Sequence, residues 1–212
     1  MLNSILCRYL SGRDFPSVIF ENRPPSALID RYWDGRKAPQ HLETEVRCAW
    51  NEKRFYFQFS APFADLYVNE EWSREESVYG LWERDVVEVF LRPEISEAYF
   101  EFEVSPLSQW LDTLVRRPRK DVDFGWRSGL KVQSEIDSQR KLWTAGLTIP
   151  TKPMMDALRL RSEPKSGDIW KTNLFRVSGN EPSREYLTWQ PTFTTQPDFH
   201  VPEAFGNLIL VE

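Results

Sequence analysis

Glu88 stands in the run Asp85-Val86-Val87-Glu88-Val89-Phe90-Leu91, where strand alternation puts it on one face with Val86 and Phe90. A carboxylate on so apolar a face is costly unless satisfied, and a ligand hydroxyl, a cation such as Arg176 or a backbone N–H would each serve. Downstream, Ala98, Phe100, Phe102 and Val104 share one face of a second run while Tyr99, Glu101 and Glu103 take the other. If the two runs pair so that Glu101 and Glu103 join Glu88, three carboxylates meet, and like charges that close need a cation or a shared proton. Calcium, which takes about six to eight oxygen ligands, is one answer. An arginine from an adjacent strand, Arg47, Arg127 or Arg176, is the simpler one and the one expected. Two glutamates on a concave sheet face also suit glycoside hydrolysis, although no second motif specifies a pair flanking a scissile bond. Trp82 lies at a loop-to-strand entry beside Glu83, Arg84 and Asp85, which favours an exposed indole over a core one.

Other chemistries find little support. His41 and His200 have no cysteine nearby, which argues against zinc, and Cys7 and Cys48 lie far apart in no C-x-x-C arrangement, so they pair only if the fold brings them together. The G-x-S-x-G, G-x-x-x-x-G-K-[ST] and G-x-G-x-x-G patterns do not occur. Lys and Arg number 27 against 32 Asp and Glu, a net charge of −5 with both signs interspersed, which argues against nucleic acid as a partner. The one basic run, Arg116, Arg117, Arg119 and Lys120, reads as a solvated loop. Residues 1–10 lack a basic start, a long apolar core and a small-residue cleavage site, and no stretch approaches the roughly 18 apolar residues of a spanning helix. A soluble, non-membrane protein is expected, cytoplasmic as given and exported if a signal was trimmed.

The elements that must position these residues are strands. With 41% hydrophobic and 28% charged residues the chain is an ordinary globular mixture, and 15 prolines against 9 glycines suggest many turns between short elements. A hairpin begins at Val46, turns at Asn51-Glu52-Lys53 and continues with Phe55, Phe57 and Phe59 facing the core. Residues 85–91 and 98–104 form a second hairpin. Further strands are expected at 109–115, 129–136, 142–149, 169–177, 186–189 and 207–211, with one helical turn in the Met154-Met155-Asp156-Ala157-Leu158 stretch. About ten strands and at most one short helix, with no composition shift, read as one all-β domain over 1–212, a two-sheet antiparallel β-sandwich.

The run Leu81-Trp82-Glu83-Arg84-Asp85 through Leu91, the Trp143-x-x-x-Leu147-x-Ile149-Pro150 segment and the terminal Pro202-Glu203-Ala204-Phe205-Gly206-Asn207-Leu208-Ile209-Leu210 together resemble the family 9 carbohydrate-binding modules over most of the chain. The resemblance implies a jelly-roll-like sandwich, no catalytic activity and structural calcium. It also implies a slot in which two aromatic rings sandwich a sugar at the reducing end of a glycan. Trp82 matches the first slot tryptophan, Glu88 the glutamate that bonds sugar hydroxyls, and Gln196 a side-chain amide position. Two positions depart from the pattern: Phe199, followed by His200, stands where the second slot tryptophan belongs, and Glu103 where an arginine helps hold the sugar.

Sugars present flat C–H faces rimmed by hydroxyls, so a site needs aromatic planes and carboxylates or amides. The expectation is therefore non-catalytic binding of a mono- or oligosaccharide of glucan or xylan type through Trp82, Glu88, Phe199, Gln196 and Glu103. Phe199 in place of tryptophan lowers the expected affinity to the millimolar range, a loss of roughly 1–3 kcal/mol by analogy with base stacking. Trp189 reads as core, and the segment from Trp189 to Gln196 as a wall of the slot. Two alternatives stand beside this reading: a structural or protein-interaction sandwich that has lost sugar binding, and a glycoside hydrolase using a glutamate pair. An open groove between Trp82 and Phe199 favours binding, whereas collapsed rings favour the structural alternative.

Overall fold

Phe55, Phe57 and Phe59 are fully buried, and so are Val87, Val89 and Leu91 and the Phe100–Phe102–Val104 series. These period-2 stripes belong to strands whose apolar faces meet, and the computed structural model, which describes residues 3–11 and 24–212, shows how. Among the described residues there are fourteen strands: β1 (Ser4–Tyr9), β2 (Ala27–Ile29), β3 (Arg31–Tyr32), β4 (Thr44–Asn51), β5 (Arg54–Pro62), β6 (Val86–Pro93), β7 (Tyr99–Val104), β8 (Trp110–Arg117), β9 (Asp121–Asp123), β10 (Lys131–Asp137), β11 (Leu142–Pro150), β12 (Ile169–Ser178), β13 (Glu185–Thr188) and β14 (Gly206–Val211). One short helix, α1 (Thr151–Ala157), follows β11.

The strands hydrogen-bond in the order β10-β11-β5-β4-β1-β14-β12-β6-β7-β8-β9, with β2 added to β4 and β13 to β12. This path curls over until its two halves face each other across the core, which is the expected all-β sandwich built from one continuous ladder. Among the described strands, β1 breaks the antiparallel rule: it runs parallel to both β14 and β4. It closes the seam between the halves, and Ile5 and Cys7 point inward from it. Cys7 and Cys48 are thereby brought together as buried free thiols, and burial, with Cys48 beside it, pushes the Cys7 thiol up. Trp189 joins the core as expected.

Among the described residues, Arg176 of β12 is the one cation buried in this interior. It alternates with Leu174 and Ser178 on the inner face, while Phe175 and Val177 face outward. Its Nη1 donates to the Leu42 carbonyl (3.3 Å) and Thr44 Oγ1 (3.0 Å), and its Nη2 to the Pro62 carbonyl (2.5 Å) and Ser178 Oγ (3.3 Å). These bonds tie β12 to the opposite half of the sandwich.

Gly206 opens β14 where the chain passes under Trp189. A Cβ there would lie 2.4 Å from the Trp189 ring and 2.7 Å from the Asn3 carbonyl oxygen, which is backbone of β1's leading end and has no rotamer to yield. Gly206→Ala is therefore expected to cost about 2 kcal/mol by overpacking. Thermal unfolding should read this as a loss of about 4–8 °C.

Candidate functional site

The outward face of β6, β7, β12 and β13 is the floor of a cleft of about 580 Å³. Trp82 reaches it from a single 3-10 turn, Leu81–Glu83, preceded by Gly80 in the left-handed region at φ 84°, a conformation that glycine adopts without strain. Buried Leu81 anchors the turn against Val86, Leu111 and Val177. Upstream, the loop carrying Tyr79 is held on β8, where Val78 N–H donates to the Trp110 carbonyl (2.8 Å) and Gln109 Nε2 to the Trp72 carbonyl (3.1 Å). Arg184 donates from Nη2 to the Trp82 carbonyl and fixes the turn from the other side.

The Trp82 ring lies at 5.1 Å from Tyr79 and 6.1 Å from Phe124, and Tyr79 is 70% exposed, so these three rings make one wall that continues onto the surface. Phe199 lines the same cleft. It stacks face to face on Phe175 of β12 at 4.1 Å and 11°, and meets Tyr186 of β13 edge-on at 6.2 Å. Trp82 and Phe199 thus have separate ring partners, and both line the cleft.

Pairing of β6 with β7 sets Glu88 opposite Glu103, with Glu101 two residues along on the same face. One carboxylate oxygen from each lies within 4.8 Å of the others. Glu88 and Glu101 line the cleft; Glu103, 0% exposed, lies behind them. Burial pushes all three carboxyls above the usual carboxylate range. The neighbouring Glu101 adds to this for Glu88 and Arg184 opposes it; the Glu88 and Glu101 charges add to it for Glu103; His200 opposes it for Glu101. Above the acids, Tyr99 Oη and His200 Nδ1 are 2.7 Å apart, and Arg119 pairs with Asp198 at the rim.

The structure alters several expectations at this site. The arginine expected to neutralise the acids is not there: Arg176 points to the other face of its sheet, Arg127 Nη1 lies 3.4 Å from Asp112, and Arg47 Nη2 donates to Glu45 (2.8 Å) on the far half of the sandwich. Gln196 is exposed and outside the cleft lining. Its backbone carbonyl accepts from Thr194 Oγ1, and it sits in an irregular segment whose side-chain directions no periodicity fixes. Arg119 and Lys120 of the basic run are exposed, as a solvated loop requires, and also border the cleft. Arg184, Tyr186 and Phe124 line it too and were not singled out from sequence; alternation along 186–189 places Tyr186 on the face opposite core Leu187, whereas nothing in the sequence marks Arg184.

A family model described as carbohydrate-binding family 9 matches residues 21–210. The chain belongs to carbohydrate-binding family 9. Solved structures with the same fold include a Bacteroides uniformis protein with a suggested role in carbohydrate binding, at TM-score 0.72 and 18% identity over 98% of each chain. They also include a family 9 module from Caldicellulosiruptor kristjanssonii, solved in complex with cellotriose (TM-score 0.63, 14% identity, 99% of this chain and 94% of that one) and with glucose (TM-score 0.64, 14% identity, 98% and 95%). Among curated proteins, the human UPF0462 protein C4orf33 is 24% identical over 185 residues, 84% of this family 9 chain and 85% of the human one. Among the described residues, no helix of this family 9 domain is long and apolar enough to cross a membrane.

Proposed function

We propose that this domain binds a carbohydrate without turning it over, in the cleft between Trp82 and Phe199. The observation that supports the reading is a single cleft lined by Trp82, Phe199, Glu88 and Glu101, in which each of the two rings contacts another aromatic. A pyranose presents two flat C–H faces to such rings and its hydroxyls to the floor and rim. Glu88 and Glu101 accept or donate at the floor, and Arg184 and the Arg119–Asp198 pair border the same cleft. The related module's complexes with cellotriose and glucose support a β-glucan or its reducing end as the ligand class. Tyr79, at the outer end of the Trp82 wall, extends the stacking surface toward a second sugar unit.

Binding is favoured over hydrolysis by the layout of the acids. Glu88 and Glu101, the two that line the cleft, project from neighbouring strands onto one patch of floor, so they face the same side of a sugar, whereas hydrolysis needs two carboxyls flanking one bond.

Calorimetric titration with cellobiose tests the reading. The expected result is one site with a dissociation constant in the millimolar range, weakened by roughly 5- to 150-fold in Phe199→Ala, the equivalent of about 1–3 kcal/mol of stacking. No heat change with cellobiose or xylobiose at saturating concentration would sink the proposal and leave the interaction-domain alternative.

A further inference from the structure

The chain has two cysteines, far apart in sequence, and the seam between the halves of the sandwich sets them side by side. One edge of β4 carries β5 from Glu45 to Asn51; the other edge is shared, β2 pairing with Thr44 to Val46 and β1 with Ala49 and Trp50. Cys48 stands at that handover, where its N–H donates to the Ser26 hydroxyl (3.2 Å) instead of to a strand. The parallel pairing of Arg8 with Ala49 and Tyr9 with Trp50 leaves Cys7 and Cys48 each one residue before the first pair, and both face the core. Neighbouring strands lie about 4.8 Å apart, inside the roughly 4.4–6.8 Å Cα separation that a disulfide spans. The two thiols already meet in a hydrogen bond. With no third cysteine in the chain, neither has a competing partner within it.

We propose that Cys7 and Cys48 are a modification site, a pair that a small organic disulfide oxidises to an internal disulfide joining β1 to β4. Such a link strengthens the weaker side of the seam: β1 pairs with β14 through Ser4 to Arg8, but with β4 through Arg8 and Tyr9 alone. Cys48 is 5% exposed against 0% for Cys7, so it is the thiol that an oxidant reaches first. It gives up its proton and attacks one sulfur of the oxidant, whose S–S bond breaks and releases a thiolate that takes up the proton. Cys7 then loses its proton, attacks the Cys48 sulfur of the mixed disulfide and expels the second half of the oxidant, which also leaves as a thiol. The two protein thiols lose two protons and two electrons, and the two sulfurs of the oxidant gain them. Burial pushes the Cys7 thiol up, so its thiolate is scarce in the closed fold and the second step runs when β1 parts from β4. The pair stands apart from the cleft, whose lining includes neither cysteine, and does not rest on the function proposed above.

The test takes the whole chain, reduced with dithiothreitol and freed of it, and incubates it with excess oxidised glutathione in two arms, native buffer and refolding from urea. The expected product of both arms is monomeric, lacks free thiols, is lighter by two hydrogen atoms and yields on digestion a peptide linking Cys7 to Cys48. Dithiothreitol should restore both thiols. Oxidation in the native arm should be at least about tenfold slower, because it waits on the opening of β1. Closing a loop of about 40 residues constrains the unfolded chain, so the oxidised form should melt about 4–16 °C above the reduced one. Cys48→Ala treated alike should show no such gain, and its own melting curve reports whether it folds. Thiols that persist in either arm would overturn the proposal. Glutathione adducts or linked dimers in place of the internal bond, or an internal bond that lowers the melting temperature, would do the same.

Discussion

Replacing Trp82 with alanine is expected to raise the dissociation constant for cellobiose by roughly 5- to 150-fold while the protein stays folded. Trp82 supplies the larger of the two aromatic planes, and its loss removes roughly 1–3 kcal/mol of stacking from an interaction expected to be only millimolar at the outset. The fold should tolerate the change. Trp82 is half-buried, sits on a 3-10 turn whose anchor is Leu81, and contributes only its carbonyl to Arg184, which alanine retains. Trp82→Phe keeps a plane in place and is expected to retain measurable binding. Calorimetry and thermal melting on the two variants separate loss of the slot from loss of the fold, and full affinity in Trp82→Ala would mean that the sugar, if bound, sits elsewhere.

Arg176→Ala is expected to destabilise the protein by about 3–5 kcal/mol, the effect of removing one partner from a buried charged network. The guanidinium is 1% exposed, and burial pushes its pKa down to about 10, so it remains charged at neutral pH. Its charge is balanced at a distance by Asp85, and directly by two backbone carbonyls and two hydroxyls drawn from both halves of the sandwich. Alanine leaves the Leu42 and Pro62 carbonyls facing a void in the core. Urea unfolding monitored by tryptophan fluorescence measures the loss, which corresponds to a fall in melting temperature of about 6–20 °C. A change below about 1 kcal/mol would show that the network contributes little beyond filling space.

Much of the sandwich is legible in the sequence because its central strands alternate cleanly. Phe55, Phe57 and Phe59 face the core while Gln58 and Ser60 do not, and the same rule carries β6 and β7. The acidic triad follows from that alternation once the two strands pair, and Glu88 opposite Glu103 is the register that the hairpin adopts. Elements of two or three residues, such as β3 and β9, are too short to show any period. In β1, Leu6 is 54% exposed between buried Ile5 and Cys7, so an apolar residue on the wrong face hides the pattern. Arg176 misled the reading for a related reason: β12 is buried on both faces, and alternation alone does not say which one is the core. Phe199 and Gln196 lie in an irregular segment. There only tertiary contacts, the Phe175 stack for one and exposure for the other, decide what faces the cleft.

The most direct measurement of the central claim is residue-resolved: ¹H–¹⁵N NMR of the labelled protein titrated with cellobiose, following the backbone amides and the nine tryptophan indole N–H signals. The expected result is a saturable shift of the Trp82 indole together with the amides of Phe199 and Glu101, while the core indoles of Trp143 and Trp170 stay in place. Shifts confined to other surfaces, or none at tens of millimolar sugar, would contradict the account and show that the cleft between Trp82 and Phe199 is not a sugar site.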